Sequence, residues 1–208
     1  MNTAKRNTVI AGVLVGVMGA APCANGQSTA RLTIDILADH GIPSATVAAA
    51  TAVVGRLYRA VGIEIDWTGD GEIGSNAGAT APVVWRRIAI RSSAGKQFPL
   101  AFGNMGVLGV TPRGQGGPGR VVYVFYDAAR IKSQRFTIPI RALLGYAMAH
   151  ELGHSLLPHE SHGEAGVMRA QWLESDMRLM RDEKLGFDPH DGSQIRIALL
   201  SAAGGWSR

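Results

Sequence analysis

His150, Glu151 and His154 are the residues whose types and spacing offer the clearest chemistry in this sequence. On an α-helix, residues four apart lie on one face, one turn above the other, so imidazoles at 150 and 154 can bind the same ion. Imidazole nitrogens suit Zn²⁺ at about 2.0–2.1 Å. Glu151 follows the first histidine, where its carboxylate can reach a water on the metal and act as general base in a hydrolysis. Four of the six histidines, His150, His154, His159 and His162, fall within thirteen positions.

The segment carrying these residues must be a helix with an inward face. Ile140, Leu143, Leu144 and Ala147 recur at helical spacing, and the stripe runs on into His150, Glu151 and His154. Polar groups on a core-facing stripe are costly without partners, and a metal supplies them. Thr137 and Pro139 open the helix, and Pro158 closes it. A catalytic zinc takes three protein ligands and keeps one position open. Past the helix stop, His159, Glu160 and His162 are all candidates for the third, because Pro158 turns the chain back.

The preceding chain supplies a sheet. Leu32, Ile34 and Ile36 alternate with Arg31, Thr33 and Asp35 as a strand. Ser44 is a candidate N-cap for a helix through Val47, Ala50, Val54, Leu57, Tyr58 and Val61, ended by Gly62. Ile63, Ile65 and Trp67 then alternate as a second strand. Strand, helix and strand in so few residues make a βαβ unit with parallel pairing. Further strands are expected over 84–91 and 105–111, and over 121–126 as a continuous apolar run for the middle of a sheet. Residues 69–82 read as a loop; Asp70, Glu72 and Asn76 lack the ordered spacing of a calcium site. Residues 113–119 form a glycine-rich loop without the ending of a phosphate-binding loop. Beyond the motif, 172–184 reads as a helix and 188–192 as a turn, with Ser193 capping a last helix.

A chain of 208 residues is long enough for one domain with a substantial core. Lys5 and Arg6, the apolar run 8–21 and the small residues at 24–26 have the form of a secretory signal, so 1–26 is expected to be removed and 27–208 to remain as a single catalytic domain. The apolar run is short of the roughly 20 residues that span a bilayer, so no stable membrane insertion is expected after cleavage. Localisation is then secreted or periplasmic. Cleavage also removes Cys23, the sole cysteine, and with it any disulfide or thiol chemistry. The formal charge of +5 falls to +3 without Lys5 and Arg6, which is too little to suggest nucleic acid. Arg86, Arg87, Arg91, Arg130, Lys132 and Arg135 are scattered and read as solvated faces.

Around His150, Glu151 and His154 the sequence resembles the metzincin clan of zinc metallopeptidases, with Gly166-Val167-Met168 standing where that clan has a methionine turn. The clan's motif, H-E-x-x-H-x-x-G-x-x-H, is not fully kept: Leu157 replaces its glycine, and Glu160 its third histidine. Secreted bacterial members combining H-E-L-G-H-x-L-L with a later histidine and Gly-Ile/Val-Met-Arg are more similar, and that likeness favours His162 as third ligand. The resemblance implies an α+β, zincin-like fold: a mixed twisted sheet, an active-site helix and a small C-terminal helical part. It implies a zinc metalloendopeptidase acting on a peptide or protein substrate, and an edge strand near 105–111 to which an extended substrate can pair. Two other classes compete: a zinc-containing binding module without turnover, and a structural zinc site completed by His159 or Glu160. The sequence leaves the oligomeric state open.

Overall fold

In the computed structural model, the described residues are 30–69, 84–94, 98, 106–114, 117–157 and 162–204. The expected signal segment, residues 70–82 of the loop expected over 69–82, and Pro158, His159 and Glu160 lie outside them.

Strand β1 (Ala30–Ala38) leads into helix α1 (Ser44–Ala60) and strand β2 (Ile63–Gly69). β1 and β2 pair in parallel, with Ala30 opposite Ile63, as the βαβ reading requires. β3 (Val84–Arg91) and β7 (Val121–Phe125) extend the sheet in parallel, and β4 (Gly109–Val110) closes one edge antiparallel to β7. The order is β2-β1-β3-β7-β4, a mixed five-stranded sheet. Strands β5 (Arg113–Gly114) and β6 (Gly117–Pro118) form a small antiparallel pair where the sequence suggested only a loop.

Alternation along β1 accounts for both of its faces. Leu32 and Ile34 are fully buried in the core. On the opposite face, Arg31 pairs with Asp66 at 2.9 Å and Asp35 with Arg87 at 2.6 Å, each across neighbouring strands. Helix α3 (Ile140–Leu156) packs on α1 and reaches β7, β4 and β3. It is buried nearly all round, so its polar face is enclosed, as its stripe predicts.

Several local expectations are corrected. α1 begins at Ser44, but Pro43 is the N-cap and no side chain caps it. β7 lies second from the edge rather than in the middle, with Val121 and Tyr123 only partly buried. Helix α2 (Tyr126–Phe136) follows it directly and has no counterpart in the sequence reading. Its buried residues include Ala129 and Ser133, so its inner face is too small and polar to register as an apolar stripe. Helix α4 (Glu174–Arg181) is shorter than expected. Helix α5 (Pro189–Gly204) starts before Ser193, and the expected turn is its first turn: Pro189 opens it, and Asp188 Oδ1 accepts the His190 N–H at 2.9 Å.

Candidate metal centre

Helix α3 ends where its chemistry requires a firm end. The Ser155 carbonyl, one of the last in the helix, accepts Arg86 Nε–H at 3.1 Å and a second bond from Nη2 at 2.9 Å. A guanidinium at a helix C-terminus satisfies orphan carbonyls and complements the dipole. Arg113 donates to the Leu157 carbonyl at 3.2 Å. Arg86 is therefore not a solvated surface charge; its fork secures the end of the helix.

The chain then returns with His162. Nε2 of His154 lies 3.0 Å from Nε2 of His150 and 3.2 Å from Nε2 of His162. Tetrahedral ligands at 2.0–2.1 Å from zinc stand about 3.3 Å apart, so these separations fit one ion at the centre. The three form the metal-competent cluster among the described residues, with His154 buried and His162 exposed at the rim.

The protonation of the ring nitrogens supports the same conclusion. His150 Nδ1 lies 2.8 Å from the carbonyl oxygen of Val167. A carbonyl only accepts, so Nδ1 carries the proton and Nε2 presents a lone pair to the centre. Burial lowers His150 to about 4, with the Val167 bond opposing and His162 adding to the effect. Burial lowers His154 to about 3, assisted by His150, His162 and Arg113. Both are neutral at pH 7, the form that binds metal. A neutral His154 has one ring proton and cannot bridge two nitrogens, whereas a cation satisfies all three.

Below the histidines runs the turn around Met168. Gly166 takes φ +70°, which glycine adopts without strain, and the Gly163 N–H reaches the Met168 carbonyl at 3.0 Å. Trp172 Nε1–H donates at 3.1 Å to the same Val167 carbonyl that holds His150. Met168 is fully buried against α3 at Gly153: a Cβ there would sit 2.5 Å from its sulfur.

Glu151 is 8% exposed and faces the edge strand. The Thr111 hydroxyl lies 2.8 Å from Oε2 of Glu151 and 2.8 Å from its backbone carbonyl. Gly109, two residues earlier and on the same side of the strand, makes room: a Cβ there would stand 2.5 Å from Glu151 Cγ. Burial raises Glu151 to about 7, partly offset by the bond from Thr111. Sequence reasoning missed Thr111, Gly109 and Arg86. The two-residue spacing of Gly109 and Thr111 at the end of an expected edge strand was the available signal for that pair.

A cleft of about 530 Å³ opens over His150, Glu151 and His162. Its walls are Leu108 and Gly109, Lys132 and Phe136 of α2, Ala147 of α3, and Trp172 with Met177. Volume and mixed lining are those of a small-molecule or side-chain site.

The structure thus joins a mixed five-stranded sheet to a cluster of His150, His154 and His162 that could hold a metal ion. No family model and no curated protein matches the chain. Among solved structures it is similar to archaemetzincin from Methanopyrus kandleri, with a TM-score of 0.45 and 16% sequence identity, covering 83% of this chain and 98% of that one.

Proposed function

We propose that this chain is a zinc-dependent peptidase that hydrolyses peptide bonds with Glu151 as general base. The observation that carries the proposal is the clustering of three imidazole Nε2 atoms beside a cleft that His150, His162 and the buried Glu151 carboxyl line. His150, His154 and His162 would hold the ion. Zinc supplies Lewis acidity there, activating water and polarising the scissile carbonyl. Glu151 takes the proton of the attacking water and returns it to the leaving amine. Thr111 keeps the Glu151 carboxyl aimed into the cleft. The short antiparallel strand β4 borders the same cleft at the sheet edge, and an extended peptide can pair with such an edge by strand addition. The leader-like residues 1–26 support action outside the cytoplasm.

The test is the Glu151→Ala variant, assayed with a broad peptide library and by metal analysis. Chelator-sensitive cleavage by the parent, lost in the variant while zinc is retained, is the expected result. Zinc retained by a parent that cleaves no peptide would instead favour a binding module.

A further inference from the structure

Lys132 stands on the inner face of α2, one turn before Phe136, and both line the cleft beside the histidines. It is partly buried, and among the described residues its ammonium makes no hydrogen bond or ion pair. The other long cation of the lining is already matched: Arg169 Nε lies 3.0 Å from Asp176 Oδ2. Among the described residues of the lining the one carboxyl is Glu151, at the histidine end. Burial, and then repulsion from Arg135, lower Lys132 below the ordinary lysine value, which is the mark of a charge lacking a counterion.

The same lining carries the apolar side chains of Phe136, Trp172 and Met177, together with polar groups that include Gln171. A ligand complementary to such a pocket has an aliphatic stem and an anionic end. A carboxylate meeting this partly desolvated cation gains a charge-assisted bond, and burial of its aliphatic stem on the apolar side chains offsets part of the cost of its own desolvation.

We propose that this cleft takes a carboxylate of the peptide substrate and that Lys132 is the residue that recognises it. The inference rests on the peptidase reading for its substrate class and names the preferred peptide: one with an acidic side chain, or a free C-terminal carboxylate, beside the scissile bond. Lys132 acts on specificity and not on the bond-breaking step.

Binding measurements separate this from turnover. Peptidyl hydroxamates, which anchor on the metal, would be titrated calorimetrically into the zinc-loaded full chain, with Glu, Gln or Leu at the position entering the cleft. Each would be made with a free and with an amidated C-terminus. The Glu probe is expected to bind roughly tenfold more tightly than the Gln probe if a side-chain carboxylate is read. If the chain terminus is read, the gap lies instead between free and amidated probes. Either gap should vanish in Lys132→Met and persist in Lys132→Arg. Equal binding of all probes by the parent, failure of every probe to bind, or a gap that survives in Lys132→Met overturns the proposal. Because the probes are not cleaved, a chain that discriminates among them but hydrolyses nothing would sink the peptidase reading and leave carboxylate recognition standing.

Discussion

The hydroxyl of Thr111 meets Glu151 twice, 2.8 Å from the side-chain Oε2 and 2.8 Å from the backbone carbonyl of the same residue. One hydroxyl proton serves one acceptor at a time. When Glu151 is ionised, the proton belongs on Oε2, where a charge-assisted bond is strongest. When Glu151 is protonated, its own O–H can donate to Thr111, which then turns its proton to the carbonyl. The pair thus offers Glu151 a well-oriented partner in both protonation states, as the general-base role proposed for it requires. Thr111 is a positioning residue, since it acts through Glu151.

Replacing Thr111 by Val keeps the shape of the side chain and removes the partner. The expected loss is about 10- to 100-fold in kcat, with KM and zinc content little changed. Because the Thr111 bond holds the carboxyl down against burial, the acidic limb of the pH profile should move to higher pH. Steady-state kinetics across pH checks both. Unaltered kcat and profile would reduce Thr111 to a packing residue, and Thr111→Ser should rescue if the hydroxyl is what matters.

Gly153 and Met168 test the floor of the site. A methyl group on Gly153 would come 2.5 Å from the Met168 sulfur, so one of them must move. Gly153→Ala is expected to cost about 1–3 kcal/mol by overpacking, and Met168→Ala about 2–5 kcal/mol by leaving a cavity. The double variant should be markedly more stable than the sum of the two costs implies, because the alanine methyl moves into the vacated volume. Urea denaturation of the four proteins gives the coupling. Strict additivity would mean that the two residues do not compete for space.

How much of this was legible in the sequence follows from how each feature is encoded. The helix carrying His150, Glu151 and His154 was readable because its apolar stripe and its candidate ligands share one period. The βαβ unit was readable because alternation and helical spacing succeed each other without ambiguity. Helix α2 was not, since Ala129 and Ser133 give its buried face almost no hydrophobic contrast. Missing it hid Lys132, which reads as one more surface cation until α2 is set against the cleft. For a third ligand the sequence left three candidates past Pro158, and only the fold brings His162 Nε2 to 3.2 Å from His154. Thr111 and Arg86 lie 40 and 69 residues from the groups they bond, a separation at which local patterning carries no signal.

The charge state of the metal-free site gives a prediction whose sign can be worked out. Burial raises Glu151 from 4.5 to about 7, so the fold prefers its protonated form. That contribution to stability is fully present below pH 4.5 and is lost as pH rises through 7. His150, lowered from 6.5 to about 4, behaves oppositely: its contribution is present above pH 6.5 and is lost as pH falls through 4. Glu151→Gln removes the first effect and leaves the second. The metal-free variant should match the parent near pH 4.5 and exceed it by about 3 kcal/mol at pH 8. Adding zinc should shrink the difference, because a nearby dication favours the ionised carboxylate and so relieves the parent. Chemical denaturation at pH 4.5, 6 and 8, with and without zinc, measures each step. A gap between variant and parent that stays constant with pH would show that Glu151 is already ionised in the metal-free fold, and the buried, proton-holding state assigned to it here would have to be abandoned.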